Sequence, residues 1–227
     1  MNSELSIIIA AGGSGTRFGG DKLLRGFRDM PLLCHCLKNF DAPERQFILA
    51  VPARAISEYR SVISSYINDF KGIITLVAGG SSRMASVSNA FAALEEQSDW
   101  PEFVAIHDAA RPLADMALLE RCVAAARECG AGIAAHRVTD TIHQADQAEY
   151  LLGTPQRDTL WAAETPQVFK TEIYARALRE IDWRTTPPTD DAQLVSQLPG
   201  IRVRLVENSA PNPKITFPHD LELFESL

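Results

Sequence analysis

Short apolar runs alternate with helix-like segments over the first 135 residues, and that alternation leaves few folds open. Leu5-Ser6-Ile7-Ile8-Ile9 has the length and side chains of a buried strand, and Phe47–Val51, Ile73–Val77 and Phe103–His107 read as further strands. Pro31–Phe40, Ala55–Tyr66 and Ser86–Leu94 read as helices between them. Met116, Leu119, Cys122, Val123 and Ala126 mark one face of a further helix, ahead of the short strand Gly132–Ala135. Such an order predicts an α/β protein: a mostly parallel, twisted, Rossmann-like sheet with helices on both faces. A chain of 227 residues can bury roughly 70–75% of its unfolded surface, enough for one large domain. No repeat, low-complexity tract or linker divides it, so residues 1–227 are expected to form a single domain.

The pattern changes between Val138 and Leu160, a polar, mixed stretch that reads as a protruding β-arm rather than another βα unit. Lys170–Ile181 resumes as a helix, and Thr185-Thr186-Pro187-Pro188 breaks the chain. Thr189 is the expected N-cap of a helix through Gln197, with Asp190 and Asp191 in its first turn. Ile201–Val206 reads as a late strand, and Pro218-His219-Asp220 opens the last helix.

A net charge of −7 gives no general attraction to nucleic acid or to an anionic membrane, so any phosphate ligand must be held by local basic residues. Cys34, Cys36, Cys122 and Cys129 lack paired metal-site spacing and are expected to be reduced structural thiols. Met1–Glu4 lead straight into the first apolar run without a basic-then-apolar leader. No apolar stretch approaches the roughly 20 residues that span a bilayer. A soluble, cytoplasmic protein is expected.

Directly after the first strand comes Ala10-Ala11-Gly12-Gly13-Ser14-Gly15-Thr16-Arg17-Phe18-Gly19-Gly20-Asp21-Lys22. Glycine lets a backbone turn tightly and approach a ligand with its N–H groups aimed at an anion. Arg17 and Lys22 add two positive charges beside that turn. Two common phosphate binders fail narrowly. Reading a P-loop from Gly15 reaches Gly20 but then meets Asp21, and a dinucleotide fingerprint from Gly13 meets Phe18 in place of its third glycine. Alone, the segment is either a nucleotide-phosphate site or a tight turn with incidental charges.

His107-Asp108-Ala109-Ala110-Arg111-Pro112 lies at the carboxyl end of an apolar strand, the edge where open α/β sheets bind ligands. One carboxylate there suffices to hold Mg²⁺ together with nucleotide phosphates, although Asp108 could equally cap the following turn. His107 reads as a structural neighbour, with no carboxylate partner identifiable.

The opening segment resembles that of nucleotidyltransferases with a glycosyltransferase-A-like fold, Gly20-Asp21-Lys22 standing where many members carry a Pro-Lys sequence. The H-D-A-A-R-P hexapeptide is similar to that of cytidylyltransferases of the non-mevalonate isoprenoid pathway. Further segments resemble that family in order: Ala78–Val87, Val138–Thr141, Arg157–Trp161, Thr165-Pro166-Gln167, Thr189–Ala192 and Asn212–Thr216.

That resemblance implies attack of a methylerythritol phosphate on the α-phosphorus of CTP, with release of pyrophosphate. It implies Arg17, Lys22, Arg157 and Lys214 as catalytic groups, and Asp108 as the Mg²⁺ ligand. It also implies a nucleotide-binding set of Ala10, Ala11, Gly12, Gly13, Gly80, Ser81, Ser86, Asp108, Arg111, Thr141 and Thr165. The arm, residues 138–160, would reach across a homodimer, carrying Thr141 and Arg157 to the partner's site. The competing readings are a ribitol 5-phosphate (pentitol-phosphate) cytidylyltransferase and a nucleotide-binding regulator without catalysis.

Overall fold

Along the first strand, successive side chains point to opposite faces, and both faces are covered. Ile7 and Ile9 pack into one apolar cluster while Ile8 packs into another, all three fully buried. A strand buried on both sides loses the polar alternation of a surface strand, which is why these runs read as unbroken hydrophobic stretches. In this computed structural model, residues 4–12, 18, 21–97 and 100–225 are described.

In chain order the first half comprises β1 (Leu5–Ala10), β2 (Gly26–Phe27), β3 (Met30–Pro31), α1 (Leu32–Asn39), β4 (Gln46–Val51), α2 (Ile56–Tyr66), β5 (Ile73–Ala78), α3 (Arg83–Glu95) and β6 (Phe103–Asp108). The second half comprises α4 (Met116–Cys129), β7 (Ala131–Arg137), β8 (Gln144–Ala145), β9 (Leu151–Gly153), β10 (Trp161–Lys170), α5 (Thr171–Glu180), α6 (Asp191–Ser196), β11 (Arg204–Glu207) and α7 (Pro218–Glu225). Seven strands form one sheet in the order β11-β7-β10-β6-β1-β4-β5. All neighbours are parallel except β10, which runs antiparallel between β6 and β7. Helices α1, α2 and α4 cover one face, and α3, α5 and α6 the other.

The single-domain α/β architecture with a mostly parallel sheet is thus the one expected. Two local expectations are corrected. Residues 161–169, expected in no element, form a ten-residue strand together with Lys170, and the following helix starts one residue later, at Thr171. The N-cap of α6 is Asp190 rather than Thr189: the Asp190 carboxylate accepts from Gln193 N at 2.8 Å, while Thr189 Oγ1 donates to the Gln193 side chain. That shift makes Asp191 the first residue of the helix, with its side chain buried.

The arm is a small hairpin of β8 and β9, and residues 139–152 are exposed throughout. Both of its roots lie at the edge of the main sheet, where Arg137 stacks over the Trp161 ring at 4.4 Å. Antiparallel β10 begins at the edge where parallel β6 ends, and its register slips between Ala163 and Gln167. Such an irregularity re-aims side chains, and here it delivers Thr165 beside His107 and Asp108.

Candidate active site

Ala10 at the end of β1 pairs with Asp108 at the end of β6. A cleft of about 460 Å³ opens beyond this edge, lined by Ala10–Gly12, Phe18, Asp21–Leu23, Gly80–Arg83, Ser86, Asp108, Ala110, Lys214 and Thr216. Gly12, after β1, and Gly79, after β5, meet there. A Cβ on Gly12 would lie 2.7 Å from Ser86 Oγ and 3.5 Å from the Gly79 Cα, so only glycine lets the two backbones approach so closely. Ser86 Oγ accepts from Gly80 N at 3.0 Å and donates to Ser82 O at 2.8 Å, holding Gly80 onto the start of α3. Ser82 caps that helix through Ala85 N, leaving the partial positive charge of its N-terminus at the cleft.

The floor is ionic. Asp108 Oδ1 accepts from Arg83 Nε at 2.8 Å and Oδ2 from Lys214 Nζ at 2.7 Å. Arg83 extends inward as well, its Nη1 lying 2.7 Å from Asp191 Oδ2, and Asp191 Oδ1 accepts from Tyr174 at 2.6 Å. Burial alone would raise the pKa of Asp108, but Arg83 and Lys214 outweigh it and hold the carboxyl well below its usual range. Burial alone would lower that of Arg83; Asp191 and Asp108 outweigh it and raise it. Across the cleft, Lys22 Nζ donates to Ile215 O at 2.6 Å, bringing a second lysine to the same C-terminal segment.

His107 is fully buried. Its Nε2 faces Arg111 O at 3.1 Å, an acceptor only, so Nε2 carries the proton and Nδ1 accepts from Thr165 Oγ1 at 3.1 Å. Thr165 in turn accepts from Asp108 N at 3.1 Å. Burial pushes the imidazole pKa down to about 4. His107 is a neutral girder behind Asp108, with neither nitrogen available as a base.

The family profile of IspD, 2-C-methyl-D-erythritol 4-phosphate cytidylyltransferase, matches residues 5–227. The chain belongs to this family. The 2-C-methyl-D-erythritol 4-phosphate cytidylyltransferase of Parasynechococcus marenigrum is 37% identical over 225 residues, spanning 98% of this chain and 97% of the relative. That of Bacillus licheniformis is 34% identical over 231 residues, spanning 100% and 96%. The crystal structure of the Thermus thermophilus cytidylyltransferase superposes with a TM-score of 0.76 at 30% identity, covering 99% of this chain and 98% of that one. The 4-diphosphocytidyl-2C-methyl-D-erythritol synthase from Anaerococcus prevotii superposes at 0.80 with 25% identity, covering 98% and 94%. The protein is accordingly an enzyme, a nucleotidyltransferase of isoprenoid biosynthesis that acts on CTP.

Against that family background, the cleft gathers Ala10, Ala11, Gly12, Lys22, Gly80, Ser81, Ser86, Asp108 and Lys214. Gly13 and Arg17 lie outside the described residues. Arg111 and Thr165 stand behind the lining. Arg111 donates to Asn212 O at 2.5 Å and Ala163 O at 3.4 Å, fastening the C-terminal segment to β10. Thr141 and Arg157 lie on the exposed arm, apart from the cleft lining of their own chain, with Arg157 donating to Thr139 O at 3.0 Å.

Two sets of residues at the site are not among the expected site residues. Arg83 and Asp191 form the ionic floor with Asp108; the signal for Arg83 was a cation in the first turn of a helix, where the dipole disfavours it. Glu164, buried, accepts from Asn208 Nδ2 at 2.9 Å and Asn212 Nδ2 at 2.8 Å and lies 2.6 Å from His136 Nδ1. Nothing in the sequence pairs those four, because they come from two strands, β7 and β10, and the segment after β11.

Proposed function

We propose that this cleft joins CTP to 2-C-methyl-D-erythritol 4-phosphate, with the acceptor's phosphate attacking the α-phosphorus and pyrophosphate leaving. The observation that carries the reading is Asp108 clamped between Arg83 and Lys214, in the cleft where Gly12 and Gly79 meet. A phosphate monoester has its second pKa near ~6, so the nucleophile is already ionised at neutral pH and needs no base. The barrier then lies in bringing two anions together and stabilising charge at the transferring centre. Lys22 and Arg17 would meet the triphosphate, and Lys214 the attacking phosphate. Gly80, Ser81 and Ser86 would take the cytidine.

The donor set fits a magnesium ion. Each Asp108 oxygen accepts a single hydrogen bond and keeps further lone-pair capacity. A hard cation that retains waters and takes its other ligands from phosphates needs only one such carboxylate. Bound there, Mg²⁺ would neutralise charge on the triphosphate. Lys214 and Arg83 hold the carboxylate in place with or without it.

We further infer a homodimer in which residues 138–160 cross to a second copy, carrying Thr141 and Arg157 to its cleft. The exposed apolar side chains of Ile142, Tyr150, Leu151 and Leu152 on the arm support it. No described helix is long and apolar enough to cross a membrane. Work in the cytoplasm is the reading that suits four free cysteines and a CTP-dependent reaction.

Pyrophosphate release from CTP, measured with methylerythritol phosphate and separately with ribitol 5-phosphate, tests the assignment. Turnover is expected with the first acceptor; faster turnover with the second would replace it. Lys22→Ala and Arg17→Ala should each lower kcat by about 10²-fold, and near-wild-type turnover would remove that residue from the mechanism.

A further inference from the structure

Lys22 sits on a single 3-10 turn, residues 22–24, with Asp21 as its N-cap. So short a turn does little to fix a long side chain, and what holds it lies outside the turn. Asp21 Oδ1 accepts from Leu23 N at 3.1 Å. The phenol of Tyr59 lies 2.9 Å from the same oxygen and 2.8 Å from Oδ2, one hydroxyl proton shared between them. Tyr59 is on α2 and fully buried, packed in the apolar cluster beneath the sheet. A phenylalanine would fill that space equally well, so the hydroxyl is there for the carboxylate. Burial, with Asp21 adding to it, pushes the phenol well above its ordinary range, and Tyr59 stays a donor at every working pH.

We propose that Tyr59 and Asp21 form a strut from the core to the cleft that positions Lys22 for the transferring charge, making both of them positioning residues of the reaction. The strut sets the backbone from which the lysine reaches across to Ile215. It also gives the chain a substitute for a rigid residue before the lysine. Asp21 has φ −77°, inside the range to which a proline ring would lock it; here a hydrogen-bonded carboxylate holds the same conformation.

The proposal rests on the reading of Lys22 as a triphosphate contact, and one set of variants separates the two. Steady-state kinetics with CTP and methylerythritol phosphate would be measured for Lys22→Ala, Tyr59→Phe, Asp21→Ala and the double variant Tyr59→Phe/Asp21→Pro, each with its melting temperature. Tyr59→Phe and Asp21→Ala should lower kcat by about 10-fold, as expected when a charge is misplaced by a fraction of an ångström, with the KM for CTP shifting less than about 2-fold. The double variant should recover to within about 3-fold of the wild-type kcat, because the ring replaces the strut. Unchanged turnover in Lys22→Ala would sink the reading of Lys22 itself. If Lys22→Ala is impaired, wild-type kcat in Tyr59→Phe overturns the strut. So does a Tyr59→Phe defect that persists in the proline double variant or that follows melting temperature alone.

Discussion

Replacing Asp191 with asparagine keeps the shape of the side chain and removes its charge, at a position with no solvent to compensate. The Asp191 side chain has 0% exposure and Arg83 28%. As a carboxylate it accepts from both neighbours, Arg83 at 2.7 Å and Tyr174 at 2.6 Å. An asparagine can accept from one of them only, and must point its NH₂ group at the other, itself a donor. Removing one partner of a buried ion pair costs about 3–5 kcal/mol. At roughly 2–4 °C per kcal/mol for a protein of this size, the melting temperature should fall by about 6–20 °C. Tyr174→Phe deletes just one hydroxyl and should cost about 1.5–3 kcal/mol, the value of a hydrogen bond to a charged group. Urea titrations of both variants and of the double variant would give the coupling. A loss below about 1 kcal/mol for Asp191→Asn, at an unchanged m-value, would mean that the buried carboxylate does not secure Arg83.

Two further outcomes follow from the site. Because the folded His107 has its pKa held near 4, against about 6.5 unfolded, the unfolded chain binds the extra proton and stability should decline as pH falls from 6.5 to 4. The decline amounts to about 3 kcal/mol; Asp108, with its pKa depressed, adds loss only below its unfolded value. Urea midpoints of wild type and His107→Gln at pH 7, 6 and 5 would show this, parallel curves contradicting it. Gly12→Ala forces a Cβ to 2.7 Å from Ser86 Oγ. It should raise the KM for CTP by at least about 10-fold with a stability loss of about 1–3 kcal/mol, and ordinary CTP affinity in that variant would show that the Gly12 and Gly79 backbones can separate freely.

The strands of the doubly covered sheet were legible because burial on both faces leaves an unbroken apolar run, as at Ile7-Ile8-Ile9. Strand β10 was not. Its centre is Glu164-Thr165-Pro166-Gln167, whose polar groups are buried only because partners from distant segments satisfy them, and a proline argues against a central strand. The glycine-rich segment suggested a phosphate site, and Asp108 a place for a cation, through local chemistry alone, each with a bland alternative beside it. Asp191 looked like an ordinary first-turn acid, since a helix start favours a carboxylate whether or not it faces the core. Only the packing of α6 against α3 and α5, a property of the whole chain, turns it toward Arg83. Tyr59 was hidden in the same way, a core aromatic on an amphipathic helix whose hydroxyl has a target 38 residues back along the chain.

The placement of the arm's roots has a mechanical consequence. The hairpin leaves the sheet at His136 and Arg137 and returns at Trp161, three residues before Glu164. That glutamate grips His136, Asn208 and Asn212 at once, and Asn212 lies two residues from Lys214. The root of the arm and the segment that carries Lys214 are therefore pinned to one buried carboxylate, so the position of the hairpin and that of the lysine beside Asp108 share a single anchor.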